Sequence, residues 1–275
     1  VATFVDTHAH IQGPEFRDDI ESVIERGEAA GVTTTVVPGV DAETSETAAL
    51  LADRFPTAYF AAGFHPHEAS RLDAIGVSRV RALLRHPKVV ALGEIGLDYY
   101  RMHSSRQEQL RAFDTMLDLA RESGLPVIVH SREADDDVER MLSSWALRAR
   151  HHVERPMGVM HYFSGDPDMA RRLTELGILI SIHTSVTHPK RTLLRRVAFE
   201  VPLDALVIET DSPYGAPQKV RGKRNEPAYV VEAARQIAEL KCVSLEEVAR
   251  ITSANGARLF RISTIQAGAM TGVRG

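Results

Sequence analysis

Short β-branched and apolar runs alternate along the chain with longer segments whose apolar residues recur every three or four positions. The runs predict strands at 4–11, 33–40, 59–66, 89–96, 126–132, 158–163, 177–183 and 205–213. Each is near-continuous in apolar character rather than alternating. That pattern suits parallel strands with helices over one face and a packed interior against the other. Residues 106–123 show the helical spacing best, with Leu110, Phe113, Leu117 and Ala120 on one stripe. Gly124 then supplies a stop, and Pro126 opens the next strand.

Successive strand ends lie roughly 20–36 residues apart, the size of one strand–helix unit. Eight such units without a linker predict an α/β chain folded as a (β/α)8 TIM barrel, a single domain over residues 1–263. An open doubly wound sheet is the competing architecture, and it signals itself by a glycine-rich first turn. Here the first strand ends instead in His-x-His. Helical patterns at 226–240 and 244–260 exceed the one helix needed after the eighth strand, so an extra C-terminal helix is expected. Residues 264–275 lack periodicity and read as a flexible tail.

Composition narrows the class. The 275 residues match such barrels, and 44% hydrophobic with 25% charged residues reads as an ordinary globular protein. A net charge of −4 excludes a general attraction to nucleic acid, so any polyanion contact needs a local basic patch. One cysteine, Cys242, excludes an intrachain disulfide framework and fits a reducing compartment. No charged-then-apolar leader and no run of about 18 apolar residues is found, so a cytoplasmic location away from membranes is expected.

A barrel strand should carry apolar residues into the core, so ionisable groups at its C-terminal end need a reason. That end is where barrel enzymes do their chemistry. Six of the eight strands deliver histidine or carboxylate there: His8 and His10, then His65, Glu94, His130, His161, and finally Glu209 with Asp211. His8 and His10 share a face because strand side chains alternate with period two. Carboxylates gathered at one mouth without a cation would repel one another and lose hydration. Imidazole and carboxylate suit divalent ions such as zinc, manganese or magnesium, and the lack of cysteine argues against a thiolate site. The set exceeds what one catalytic metal with an open position takes and fits two, bridged by Glu94. Asp211 could then ligate one metal and accept the proton of an attacking water, while Glu209 holds a ligand histidine in place.

Longer blocks sharpen this picture. DTHAH at 6–10, GFHPHEA at 63–69, GEIGLDYY at 93–100, IVHSREA at 128–134, HYFSG at 161–165, ETDSPY at 209–214, RGKRNEP at 221–227 and TSANGARLF at 252–260 run in order. They resemble the successive blocks of the TatD-like metal-dependent deoxyribonucleases of the amidohydrolase superfamily. The resemblance covers nearly the whole chain. It implies a TIM barrel with two divalent metal ions held by His8, His10, Glu94, His130, His161 and Asp211. It also implies a supporting catalytic role for His65 near the scissile phosphate. The implied activity is hydrolysis of DNA phosphodiesters, exonucleolytic in many members, with links to DNA repair, and the expected partner is DNA as single strands or ends. Four places depart from the pattern. Ala9 and Tyr162 stand where many members have cysteine, Gly215 replaces a frequent leucine, and SIHTSVTHPK at 181–190 brings the unexpected His183 and His188.

After the eighth strand, Lys219, Arg221, Lys223 and Arg224 form a basic run, with Arg221, Lys223 and Arg224 as candidate phosphate contacts. Asn225, Glu226 and Pro227 could cap the next helix and fix this loop. Tyr99, Tyr100 and Phe64 could stack on bases or simply pack. Two other readings remain open: a small-molecule amidohydrolase acting on a lactone, cyclic amide or organophosphate, and a metal-binding scaffold without turnover. Many binuclear relatives of the first kind bridge their metals with a carboxylated lysine. Here Glu94 takes that position, and Lys88 precedes the strand.

Overall fold

The computed structural model describes residues 2–149 and 156–262; the tail at 264–275 lies outside the described residues. Eight parallel strands pair in chain order. They are β1 (Phe4–Asp6), β2 (Val32–Pro38), β3 (Ala58–Ala62), β4 (Val89–Asp98), β5 (Val127–Arg132), β6 (Gly158–Met160), β7 (Ile178–His183) and β8 (Leu206–Glu209). Thr7 N donates to Ile208 O at 3.1 Å, and His10 N donates to Ser212 O at 2.7 Å. These bonds draw β1 to β8, so the sheet is a nearly closed (β/α)8 barrel, as the strand rhythm predicts.

One helix follows each strand: α1 (Ile20–Ala29), α2 (Ala42–Arg54), α3 (Ala74–Leu83), α4 (Arg106–Ser123), α5 (Asp135–Ala149), α6 (Pro167–Glu175), α7 (Thr192–Glu200) and α8 (Val230–Lys241). Helix α4 shows how local sequence sets the ends. Ser105 and Glu108 form a reciprocal capping box, and Gly124 closes the helix at φ +66°. Its stripe of Phe113, Leu117 and Ala120 is buried against the barrel.

The expected extra helix is α9 (Leu245–Phe260). It caps the N-terminal end of the barrel. Asn255 Nδ2 donates to Leu203 O and Leu206 O, and Ser253 Oγ donates to Thr3 O, all at strand beginnings. Leu259, Phe260 and Ile262 join Val36, Ala61, Ala91, Ile128, Val159, Leu179 and Val207 in the interior core. One end of the barrel is thus filled with hydrocarbon, and polar chemistry is confined to the other.

Four strands end well before their apolar runs do. β1 stops at Asp6, β3 at Ala62, β6 at Met160 and β8 at Glu209, so His8, His10, His65, His161 and Asp211 sit just beyond the ladder. Tyr162 and Asp211 take positive φ, 45° and 59°, in a region that non-glycine residues seldom occupy. Leaving the ladder frees these residues to turn over the barrel mouth. Strand β4 does the reverse and continues to Asp98.

The loop after β8 is also fixed differently from expectation. Asn225 does not cap α8, whose N-cap, Tyr229, makes no side-chain bond. Its buried amide instead donates to Thr184 Oγ1, Thr210 O and Tyr214 O at 3.0, 2.9 and 2.7 Å. No helix among the described residues is long and apolar enough to cross a membrane.

Candidate metal centre

Glu94 lies at the centre of the mouth, and its two oxygens face different partners. Oε2 is 3.3 Å from His8 Nε2 and 3.5 Å from His10 Nε2. Asp211 Oδ1 completes that side, 3.7 and 3.6 Å from the same two nitrogens. Oε1 looks the other way, to His130 Nδ1 at 3.0 Å, His161 Nε2 at 3.1 Å and His65 Nε2 at 3.4 Å. Donor atoms therefore gather in overlapping groups: His8, His10 and Asp211; His8, Glu94 and His161; His65, Glu94 and His130.

Close backbone approach makes this convergence possible. Gly96 sits two residues after Glu94 at φ +140°, and a Cβ there would lie 2.0 Å from His130 O. No other residue lets β4 and β5 come this near at the level of the site. On the opposite side of β4, a Cβ on Gly63 would meet the Gly93 carbonyl carbon at 2.8 Å. Gly96 on β4 and Gly63 just after β3 thus let β3, β4 and β5 close in around Glu94.

Electrostatics follow from burial and crowding. Burial drives His8 down to about 3, with His161 adding repulsion, so its ring is neutral. Burial alone would lift Glu94, yet the charge on His161 and the hydrogen bond from His10 hold it well below the usual carboxylate range. Asp211 is pushed up to about 7 by burial, against the pull of His161 and His10. Burial opposes charge on His161 too, but Glu94 and Glu209 raise it well above an ordinary imidazole.

The donor set fits divalent metal ions. His8 Nδ1 and Glu209 Oε2 are buried without hydrogen-bond partners, and His8 Nε2 and His10 Nε2 meet at 3.1 Å. Facing imidazole nitrogens beside two carboxylates are the arrangement a shared cation stabilises. Imidazole and carboxylate with no thiolate among them suit zinc, manganese or magnesium.

Comparison with known proteins agrees with this chemistry. The family model described as TatD related DNase matches residues 5–261. The chain belongs to the TatD family. It is similar to the metal-dependent hydrolase YabD of Bacillus subtilis, 39% identical over 94% of this chain and 99% of that protein. It is 34% identical to the 3'-5' ssDNA/RNA exonuclease TatD of Pectobacterium parmentieri, over 94% of this chain and 99% of the relative. The crystal structure of the TatD homologue YjjV from Escherichia coli superposes with a TM-score of 0.88 at 32% identity, covering 94% of this chain and 98% of that one. The protein is thus a metal-dependent hydrolase of the TatD family.

Within this TatD protein, the strand-end residues expected from sequence do converge, and hydrogen bonds divide them further. His65 Nδ1 accepts from His67 N at 3.1 Å, and burial lowers His65 to about 4. Its neutral ring therefore carries the proton on Nε2, the atom that faces Glu94. That turns an N–H of His65 toward Glu94. Glu209 lies behind His161, with Oε1 3.3 Å from His161 Nδ1 and accepting from Tyr162 N at 2.6 Å.

Residues around the mouth sort as clearly. Arg224 is committed elsewhere: its guanidinium donates to Asp19 Oδ1 and Oδ2 at 2.8 and 2.7 Å and lies over the Phe16 ring. Arg221 and Lys223 stay exposed. His183 is buried, stacked on Tyr162 at 3.6 Å, and bonded to Ser185 Oγ, which places it outside the converging donor groups. His188 donates to Ala216 O. Phe64 packs in the core and Tyr99 donates to Asp137, whereas Tyr100 is exposed beneath the Arg132 guanidinium. Lys88 Nζ donates to Ala52 O, Phe55 O and Ala58 O before β4 begins, far from the mouth.

Sequence reading missed His67 and Asp98, which meet at 2.8 Å beside His130. The spacing held part of the signal, although the expected strand ended at residue 96. Asp98 shares the period-two parity of Glu94 on β4, and His67 follows His65 by two residues.

Proposed function

We propose that the chain is a nuclease, a two-metal hydrolase that cleaves phosphodiester bonds of DNA from strand ends. The observation that carries this reading is Glu94, whose two oxygens serve separate groups of histidines. One divalent ion, magnesium, manganese or zinc, would be held by His8, His10, Glu94 and Asp211, and a second by Glu94, His130 and His161. Such ions acidify a water and screen the charge that builds on a phosphate under attack.

The chain's own groups do the rest. Asp211 stands at the mouth, where it can accept the proton of the attacking water. His65 offers its Nε2 proton to a phosphate oxygen. Glu209 keeps His161 turned toward Glu94. Arg221 and Lys223 supply the local positive charge that the acidic chain otherwise lacks. The 3'-5' ssDNA/RNA exonuclease activity named for the Pectobacterium relative supports single strands and their ends as substrate. The place of Lys88 at the far end of β4 speaks against a lysine-bridged small-molecule hydrolase.

The test is incubation of metal-stripped protein with end-labelled single-stranded DNA and RNA, adding magnesium, manganese or zinc one at a time. Wild type should shorten the strand stepwise with at least one metal, and Asp211→Asn should not. Equal cleavage by both under every metal would remove the nuclease reading.

A further inference from the structure

Asp98 ends β4 four residues after Glu94 and projects to the same side. Its carboxylate is buried, and both oxygens are in use. Oδ1 accepts from Tyr100 N at 3.0 Å and from Arg101 N at 2.8 Å. Oδ2 faces two imidazoles, His67 Nε2 at 2.8 Å and His130 Nε2 at 3.3 Å. Gln109 fastens the residue from behind, accepting from Asp98 N at 2.8 Å and donating to Asp98 O at 2.9 Å. The carboxylate therefore cannot turn away from the two rings.

We propose that Asp98 is a positioning residue that keeps the His130 proton on Nε2 and so presents the Nδ1 lone pair to the second metal position. This rests on reading His130 as a metal ligand. A neutral imidazole has one bare nitrogen, and a carboxylate beside the other nitrogen decides which one it is. His130 Nδ1 is the atom 3.0 Å from Glu94 Oε1, so an acceptor at Nε2 leaves the bare nitrogen facing the site.

Asp98 also orders His65 at one remove. It holds the His67 ring, and the His67 backbone N–H bonds to His65 Nδ1. One buried carboxylate thus sets one histidine as a ligand and helps set its neighbour as a donor. Neither role follows from the turn that Oδ1 caps, since Oδ1 alone receives the Tyr100 and Arg101 bonds.

Asp98→Asn separates the two roles. Its Oδ1 still accepts both backbone bonds. Its Nδ2 becomes a donor where the carboxylate accepted, which demands the lone pair of His130 Nε2 and moves the ring proton to Nδ1. The change parallels the wrong-tautomer effect of a carboxylate-to-amide exchange behind a catalytic histidine.

The experiment titrates metal-stripped wild type and Asp98→Asn with zinc. Bound zinc per chain is measured after equilibrium dialysis at fixed free zinc, and ring 15N spectra report the His130 tautomer. Wild type should take two zinc ions and show His130 protonated on Nε2. Asp98→Asn should bind the first zinc as before and the second about 10- to 100-fold more weakly, with His130 protonated on Nδ1. His67→Ala should keep the second zinc within a few-fold of wild type, because Asp98 still faces His130. Equal second-zinc affinity and an unchanged tautomer in Asp98→Asn overturn the proposal while leaving the two-metal reading intact. Uptake of a single zinc by wild type overturns both. The wild-type spectrum decides even where the variant folds badly, since a proton on Nδ1 of zinc-loaded His130 contradicts the proposal by itself.

Discussion

Asp6 and Thr210 lock the seam where β1 meets β8. Asp6 Oδ1 accepts from Thr210 N at 2.9 Å, and Oδ2 accepts from Thr210 Oγ1 at 2.6 Å. The same Oδ1 receives His8 N at 3.3 Å. His8 follows Asp6 by two residues and Asp211 follows Thr210 by one, so this clamp sets the spacing of two residues at the heart of the site. Asp6 has no exposed surface, and burial pushes its carboxyl up to about 8 despite the bonds from Thr210 and His8.

A stability slope with pH follows. The folded chain keeps a proton on Asp6 from the ordinary carboxylate range near 4 up to about 8, where the unfolded chain has lost it. The contribution of this proton is complete below about pH 4 and fades as pH rises through 8. Asp6→Asn cannot ionise and removes the slope. The unfolding midpoint of wild type minus that of Asp6→Asn should therefore fall steadily between pH 4 and 8 in metal-free protein; a flat difference would refute the assignment. Asp6→Ala leaves Thr210 N and Oγ1 without their acceptor and should cost about 1–3 kcal/mol in urea unfolding.

Metal binding should release protons. In the metal-free site burial disfavours charge, but Glu94 and Glu209 raise His161, Glu94 and Asp211 raise His10, and Asp98 and Glu94 raise His130. A ligand nitrogen must be bare, so those protons leave as metal enters. Affinity for zinc or manganese should rise from pH 6 to pH 8, with roughly one or more protons released per ion. Calorimetry in two buffers of different ionisation enthalpy reads that number directly. Heats that do not depend on the buffer would show that the histidines are already neutral.

The barrel was legible because each strand is buried on both faces, which turns every strand into an apolar run of its own. The site was legible because polar residues at the ends of such runs have no packing reason to be there. What escaped were features set by direction rather than type. Nothing in a residue string says that Asp211 and Tyr162 leave the ladder at positive φ, or that Arg224 bends back to pair with Asp19. Asp98 escaped because a carboxylate before two tyrosines reads as the start of a loop. Only the continuation of β4 through Asp98 puts it in line with Glu94.

The division of the basic loop can be tested by salt. Arg224 is held by Asp19 and Phe16, whereas Arg221 and Lys223 are exposed. Each cation that touches a single-stranded backbone adds about 0.7 to the slope of log affinity against log salt. Arg221→Ala and Lys223→Ala should each lower that slope by about 0.7 for an oligodeoxynucleotide in calcium, with thermal stability unchanged. Arg224→Ala should leave the slope alone and lower the unfolding midpoint through its lost ion pair and ring contact. A reduced slope in Arg224→Ala with unaltered stability would show that Asp19 releases it to the nucleic acid.

Gly215 and Tyr162 form a size-matched pair beside Asp211. Gly215 takes φ +63°, and a Cβ there would lie 3.3 Å from both Tyr162 Cε2 and the Tyr162 hydroxyl oxygen. Tyr162 cannot retreat easily, because its other side rests on the His183 ring at 3.6 Å. Gly215→Leu therefore meets two costs, a left-handed backbone and a displaced ring, and should destabilise the protein by about 1–3 kcal/mol. Adding Tyr162→Cys to Gly215→Leu clears the space for the leucine and should recover the packing share, while the backbone share persists. Near-ultraviolet circular dichroism should show the tyrosine signal change in the single variant, and urea unfolding should place the double variant between it and wild type. A Gly215→Leu protein as stable as wild type would mean that the ring has room to move, and that His183 does not hold it in place.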